Sequence, residues 1–160
     1  MKITVHAVGR MKAGPEKELA DRYFQRLAKS GPAVGLEFAG VIEVPESRAQ
    51  TASERRREEG RALQAQRQAG GALALLDERG RSFSSEDFAG RIGLLRDEGR
   101  KALLVAIGGP DGHDQSLRDQ ADLVVSLSAM TWPHQIVRIM LGEQLYRAAT
   151  ILAGHPYHRS

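Results

Sequence analysis

Short apolar runs alternate with amphipathic helical segments along this chain, and that alternation constrains the fold more than any other feature. The runs Ala72–Leu76 and Ala102–Ile107 are apolar at every position, yet only long enough for strands. Strands that are apolar throughout are typical of parallel sheets covered by helices on both faces. The pattern therefore predicts an α/β fold with a mostly parallel sheet.

The apolar periodicity, the capping residues and the glycine and proline breaks together predict a set of elements. Strands are predicted at Ile3–Val8, Val34–Val44 (with a bend at Gly40), Ala72–Leu76, Ala102–Ile107 and Leu123–Leu127. Helices are predicted over Pro15–Lys29, Ala52–Ala69, Ser84 or Ser85 to about Glu98, Ser116–Gln120, and Pro133 to Leu152. A length of 160 residues suits a single domain.

Composition narrows the class of protein. The chain has no cysteine, which excludes disulfides and thiolate metal sites and suits a reducing cytoplasm. The apolar runs are too short for a membrane span, and Ile3–Val8 is too short for the core of a secretion signal. The net charge of +3 is only weak evidence for a polyanionic partner. We therefore expect a cytoplasmic protein that does not enter a membrane.

Three loops follow the carboxyl ends of the late strands: Asp77–Arg81, Gly108–Gly112 and Ser128–Trp132. Ligands of open α/β sheets bind at such loops, and glycines let the backbone approach the ligand. Taken alone, Gly108–Gly112 is more simply explained as a tight turn. It matches neither the dinucleotide fingerprint nor the phosphate-binding P-loop. A nucleoside bound here would need something other than a pyrophosphate cradle.

The final helix is apolar over an arc of roughly 180° at 100° per residue, which is wider than one packing face requires. The residues of this arc are Ile136, Val137, Met140, Leu141, Leu145, Ala148, Ile151 and Leu152. Such a helix would be buried against its own sheet and a second subunit, or else be the central helix of a monomer. Glu143 and Arg147 are four residues apart, so a local ion pair is expected.

The C-terminal residues are unusually rich in functional groups for a terminus, which is ordinarily disordered. His155, Tyr157, His158 and Arg159 indicate that this tail docks and takes part in chemistry or binding. The spacing of the two histidines resembles half a metal site. However, Pro156 prevents the required helical geometry and no carboxylate lies nearby, so no metal is expected.

The remaining histidines and the basic segments have several interpretations. His6 and His113 are expected to be structural or exposed, and His134 either caps the final helix or contacts a substrate. Arg10–Lys29 holds six Lys or Arg against three Asp or Glu, with Arg10 and Lys12 in the loop after the first strand. The mixed-charge run Glu54–Arg61 is expected to be a solvated helix face.

Six motifs, in order, resemble those of one family along the whole chain. They are Ala7-Val8-Gly9, Leu76-Asp77-x-x-Gly80, Ile107-Gly108-Gly109-Pro110-x-Gly112, Leu127-Ser128-x-Met130-Thr131-x-Pro133-His134, Glu143-Gln144-Leu145-Tyr146-Arg147-Ala148 and His155-Pro156-Tyr157-His158. The family is the ribosomal RNA large subunit methyltransferase H group of the SPOUT superfamily. Its members methylate N3 of a pseudouridine, position 1915 in the usual rRNA numbering, in helix 69 of 23S rRNA.

The resemblance implies a SPOUT-type α/β fold with a C-terminal trefoil knot, a rare exception to the rule against knots. One domain would span 1–160, with the knotted region at about 72–155. S-adenosylmethionine is the implied cofactor, and the implied partners are a second copy of the chain and the assembled ribosome. Carried over by motif, the cofactor-binding residues would be Leu76, Gly108, Gly109, Leu127, Ser128, Ala129, Met130, Thr131 and Trp132.

The resemblance also suggests roles on the substrate side. The catalytic candidates are Arg147, Tyr157, His158 and Arg159, and the substrate-binding candidates are Arg10, Lys12, His134 and His155. Our hypothesis is that Arg159 or Arg147 stabilises the uracil-ring anion, while His158 or a water accepts the N3 proton. Two alternatives remain: a SPOUT methyltransferase acting on another RNA such as transfer RNA, and a non-catalytic ribosome-binding protein.

Overall fold

Five strands alternate with five α-helices within residues 1–158, the part of the chain that this computed structural model describes. The strands are β1 (Lys2–Val8), β2 (Glu37–Val44), β3 (Ala72–Arg81), β4 (Ala102–Ile107) and β5 (Leu123–Val125). The helices are α1 (Pro15–Ser30), α2 (Ala52–Gln64), α3 (Ser85–Asp97), α4 (Gln115–Asp119) and α5 (His134–Leu152), and a 3-10 helix spans Gly31–Val34.

The strands form one sheet in the order β2-β1-β4-β3-β5, and every pair is parallel. Side chains alternate between two core layers: Ala72 and Ala74 of β3 face α1, α3 and α5, while Leu73 and Leu75 face α2 and α4. All six residues of β4 are buried. The prediction of a parallel sheet covered by helices on both faces is confirmed. This arrangement brings the carboxyl ends of all five strands to one edge.

Several predicted element ends were wrong, each for a local reason. The helix predicted to Ala69 ends at Gln64, because the amides of Gln66 and Arg67 bond three residues back and the side chain of Gln66 turns to His6 Nδ1 at 2.9 Å. The strand predicted from Val34 begins at Glu37, after a 3-10 helix and a left-handed Gly35. The bend at Gly40 is confirmed by its φ of 122° and by a register shift against β1.

The predicted loop Asp77–Arg81 is instead the second half of β3. Leu76 and Arg81 both pair with Val125, so the four residues between them bulge out of the sheet. Such bulges redirect side chains and are common near functional sites. Gly80 closes this bulge directly against the backbone of β5: a Cβ there would lie 2.7 Å from Val124 O.

The late elements that frame the site also differ slightly from their predicted bounds. β5 ends at Val125 instead of Leu127, and α4 covers Gln115–Asp119. Pro133 precedes the first residue of α5 as its N-cap and is not inside the first turn. None of the helices within residues 1–158 is both long and apolar enough to cross a bilayer.

Candidate active site

A pocket of about 700 Å³ opens where β3, β4 and β5 end. Its wall combines three segments, namely the β3 bulge, the β4–α4 loop and the stretch from Leu127 to the first turn of α5. Apolar side chains and glycine backbone line it together with a few charged groups, among them Asp77 and Arg118. The size and the composition are those of a small-molecule site.

The structure brings together eight of the nine residues that the motifs suggested for cofactor binding. These are Leu76, Gly108, Gly109, Leu127, Ser128, Met130, Thr131 and Trp132. Ala129 does not line the pocket. His134 does line it, so of its two predicted roles the position favours ligand contact over capping. Pro110, Gly112 and Val137 also line the wall and were not predicted as site residues.

The segment from Ser128 to Trp132 is an irregular, bent loop that exposes two large apolar side chains. Ser128 Oγ accepts a hydrogen bond from Met130 N at 2.8 Å, and Ser126 Oγ donates to Ser128 O at 3.0 Å. Met130 is 70% exposed and Trp132 is 38% exposed. Large apolar side chains that are exposed together at the rim of a pocket are typical of a binding surface.

The β4–α4 loop is supported from below by a buried network. His113 lies beneath Gly108, where a Cβ would come within 3.1 Å of the imidazole Cε1. Arg118 donates to the carbonyl of His113 at 2.6 Å and to Asp77 Oδ2 at 3.2 Å, so it joins this loop to the β3 bulge. Gly112 adopts a φ of 74°, which glycine tolerates without strain.

The buried histidines make stability depend on pH. Burial lowers the pKa of His6 and of His113 below the ordinary histidine value. The unfolded chain therefore takes up protons that the folded protein does not. We expect the free energy of unfolding to be insensitive to these groups above about pH 6.5. Below that it should fall by up to about 1.4 kcal/mol per pH unit for each histidine. Urea unfolding across this range measures the slope.

Variants identify the source of this pH dependence. His113→Asn should reduce the slope, whereas the same change at the exposed His155 should leave it unchanged. An unaltered slope in His113→Asn would show that the buried imidazole is not the titrating group.

The C-terminal tail docks on α5 and α3 of its own chain. Tyr157 OH donates to Glu143 Oε1 at 3.1 Å, and His158 Nε2 donates to Glu86 Oε1 at 2.5 Å. Arg147 binds the same Glu143 oxygen through Nε at 2.9 Å, which confirms the predicted ion pair. The guanidinium also lies 4.9 Å from the centre of the Tyr157 ring. We call Glu86, Glu143, Arg147, Tyr157 and His158 the tail cluster.

Electrostatics within the tail cluster restrict what each group can do. Burial, followed by the negative charge of Glu143, raises the pKa of Tyr157 to about 12. The phenol is therefore a neutral hydrogen-bond donor at physiological pH and not a base. His158 has both ring nitrogens engaged, since Nδ1 lies 3.3 Å from an Arg147 nitrogen. The predicted candidate Arg159 lies outside the described residues.

Within one chain the tail cluster and the pocket are on different sides of α5. Glu143 follows His134 by nine residues, which corresponds to a rotation of about 180° and an axial rise of about 14 Å. The structure thus does not bring Tyr157 or His158 to the pocket of their own chain. His155 is exposed and lines no part of the pocket.

The predicted basic residues after the first strand also lie apart from the pocket. Arg10 and Lys12 are in the β1–α1 loop, as predicted, but Arg10 lines a separate groove of about 710 Å³ between α1 and β2. Lys12 is exposed. A role for these two residues in substrate binding stays a prediction.

Arg138 ties α5 to the loop that carries these basic residues. It is 6% exposed, binds the Glu43 carboxylate, and donates to Gly9 O at 3.0 Å. Glu43 in turn accepts a hydrogen bond from Met11 N at 3.0 Å. The guanidinium therefore fixes both the strand end and the loop relative to the helix.

Removing this contact should destabilise the protein. We expect Arg138→Met to lower the free energy of unfolding by about 2 kcal/mol, because it removes the cation paired with Glu43 and the side-chain donor to the Gly9 carbonyl. Chemical denaturation measures the change, and Arg22→Met on the exposed side of α1 is the control. Equal stability of the two variants would contradict this role for Arg138.

Comparison with known proteins places the chain in a class. A family model described as "Predicted SPOUT methyltransferase" matches residues 1–158. The chain therefore belongs to the SPOUT methyltransferase family, and the α/β fold described above is the SPOUT fold. The trefoil knot over residues 72–155 stays a prediction.

Relatives that match over the full length of this chain define the kind of methyltransferase more closely. The chain is 74% identical over 160 residues to the ribosomal RNA large subunit methyltransferase H of Mesorhizobium japonicum, covering all of both chains. It is 64% identical to the protein of that name from Brucella anthropi, again over both full lengths. For Chelativorans sp. the identity is 62%, covering 99% of this chain and 91% of the relative. Such matches show that the protein is an RNA methyltransferase.

Proposed function

We propose that this enzyme transfers a methyl group from S-adenosylmethionine to N3 of pseudouridine 1915 in helix 69 of 23S rRNA. It would act in the cytoplasm, on assembled ribosomes, as a homodimer of single-domain subunits that span 1–160. The observation that carries the proposal is the pocket at the carboxyl edge of the sheet, built from the segments whose motifs match the family. Full-length identity to ribosomal RNA methyltransferases supports the ribosomal target.

The pocket fits the proposed cofactor on chemical grounds. Gly108 and Gly109 line the pocket with bare backbone, while His113 and Glu59 fill the space behind them. Leu76 and Leu127 provide apolar walls for the faces of an adenine, while backbone groups read its polar edge. When bound, S-adenosylmethionine supplies an electrophilic methyl group on a sulfonium centre.

The protein's contribution to the reaction is positioning and charge management. N3 of the target base must lose its proton, and negative charge then develops on the adjacent carbonyl oxygens. Arg147 offers a cation, and the neutral Tyr157 offers a hydrogen-bond donor for that charge. His158, released from Glu86, or a water would accept the proton. His134 would contact the substrate from the pocket wall.

A second subunit is proposed because the tail cluster faces away from the pocket of its own chain. Ile136 and Met140 lie one turn apart on α5 and are only half-buried, and the exposed Met130 and Trp132 line the pocket just before this helix, so apolar surface is left uncovered here. Covering it with another copy would bury these side chains. The tail cluster of each subunit would then complete the pocket of its partner.

A panel of RNA substrates tests the proposed target against its main rival. Tritiated methyl from S-adenosylmethionine should enter 23S rRNA within assembled ribosomes, and much less should enter free 23S rRNA. Preferential labelling of transfer RNA would instead identify a SPOUT enzyme with a different substrate. The modest net charge of +3 is consistent with recognition of ribosome shape, since capture of free RNA relies on phosphate contacts.

A further inference from the structure

Helix α2 holds the β4–α4 loop on the side away from the pocket. Arg55 forms a two-pronged pair with Asp111: Nε lies 2.6 Å from Oδ2 and Nη2 lies 3.1 Å from Oδ1. The remaining nitrogen, Nη1, donates to the carbonyls of Ala49 at 3.1 Å and Gln50 at 3.2 Å. Arg55 thus joins the loop to the start of its own helix through every nitrogen that it has.

Glu59, one turn further along α2, makes the second contact. Its carboxylate lies so close to Gly109 that a Cβ on that residue would be 2.7 Å from Oε2. Glu59 is only 8% exposed, and its Oε1 accepts a hydrogen bond from Ser47 N at 3.0 Å. Oε2 has no hydrogen-bond partner among the described residues. The carboxylate is therefore held in place from the β2–α2 connection and fixes how deep Gly109 can lie.

The same loop residues form a wall of the pocket on their other side. Gly109 and Asp111 both line it, so any ligand in the pocket contacts a loop whose reverse side rests on α2. A loop with three glycines among its five residues is otherwise costly to order, because glycine loses the most backbone freedom on folding. Orienting the loop before a ligand arrives removes that cost from binding.

We infer that Arg55 and Glu59 are positioning residues for the cofactor: they preorganise the β4–α4 loop and thereby set the affinity for S-adenosylmethionine. This inference rests on the proposed function for the identity of the ligand. The pairing itself persists at neutral pH, since the hydrogen bonds from Arg55 keep the pKa of Asp111 below its usual value. Neither residue touches the pocket, so neither is catalytic.

Two measurements on Arg55→Gln test the inference. Calorimetric titration with S-adenosylmethionine should show a dissociation constant about tenfold higher than that of the wild type, the scale expected for losing one charge-assisted pair. The kcat at saturating cofactor and the KM for ribosomes should stay within about twofold of the wild type, because the reacting groups are untouched. Arg61→Gln, at an exposed position on the same helix, is the matched control and should change nothing.

Hydrogen exchange of the unliganded protein tests the positioning role without the cofactor. The Gly112 amide, which donates to Gly109 O at 3.0 Å, should exchange about tenfold faster in Arg55→Gln than in the wild type or in Arg61→Gln. Arg55→Lys keeps the charge but cannot make the two-pronged pair with Asp111, so its exchange rate should be intermediate. The double variant Arg55→Asp with Asp111→Arg should recover part of the affinity and the protection.

The outcomes separate this inference from the proposed function. Wild-type cofactor affinity and wild-type exchange rates in Arg55→Gln would overturn the positioning role, whatever the enzyme methylates. A kcat that falls with an unchanged dissociation constant would also overturn it, because the effect would then lie in chemistry. If the wild-type protein does not bind S-adenosylmethionine although its loop is protected through Arg55, the proposed cofactor is wrong and the positioning role stands.

Discussion

Gly80→Ala is expected to lower the free energy of unfolding by about 2–4 kcal/mol and to weaken cofactor binding strongly. The new Cβ would lie 2.7 Å from backbone atoms of Val124 and Val125, which cannot rotate away as a side chain could. Either the β3 bulge or β5 must move. Because β5 leads directly into Leu127–Trp132, the displacement reaches the pocket wall.

A second glycine supplies the control for this prediction. Gly90 lies in α3, and a Cβ there meets nothing within 4 Å. Gly90→Ala should therefore stabilise the protein by up to about 1 kcal/mol, since alanine favours a helix. Chemical denaturation and cofactor titration of both variants measure the contrast. If Gly80→Ala behaved like Gly90→Ala, the close approach of the bulge to β5 would be wrong.

Mixing two inactive variants is expected to restore methyl transfer. Gly108→Val displaces the β4–α4 wall of the pocket, because its Cβ would lie 3.1 Å from the imidazole of His113 behind the loop. Tyr157→Ala combined with His158→Ala removes two groups of the tail cluster. Each variant alone should lose activity by about 100-fold or more, because one half of every site is defective. In a mixed dimer, the intact pocket of the tail variant is completed by the intact tail of the pocket variant. Co-expression should restore about a quarter of the wild-type rate, since about half of random dimers are mixed and have one good site each.

The controls for the mixing experiment are the two variants expressed separately and shown to be folded dimers. Differently tagged chains allow the mixed dimer to be purified and assayed alone. A mixed dimer no more active than its parents would show that the tail does not complete the partner's pocket. The dimeric arrangement proposed above would then need a different explanation for the tail cluster.

The local hydrophobic pattern of the sequence predicted the sheet and most of the segments that line the pocket. Fully apolar runs such as Ala102–Ile107 correspond to buried central strands, and strand ends in a parallel sheet necessarily converge, so the loops after them meet. The continuation of β3 to Arg81 was missed because its segment is polar and its pairing with Val125 depends on tertiary structure. Polar bulges have no periodic signature in a sequence.

Long-range ion pairs were the main features that the sequence did not reveal. Arg55 lies 56 residues before Asp111, and Arg138 lies 95 residues after Glu43. In sequence each of these charges looks like part of a solvated helix or strand face, because nothing local distinguishes a paired arginine from a free one. The separation of the tail from its own pocket, by contrast, follows from helical phase, since Glu143 is half a rotation from His134.

Mapping the methyl group on the ribosome tests the central claim most directly. Assembled ribosomes that lack the modification would be incubated with this enzyme and S-adenosylmethionine, and the helix 69 fragment of 23S rRNA analysed by mass spectrometry. We predict the gain of one methyl group on N3 of pseudouridine 1915, and much less methylation when deproteinised 23S rRNA replaces the assembled ribosome. A methyl group at another nucleotide, or its absence from helix 69 of assembled ribosomes, would contradict the account.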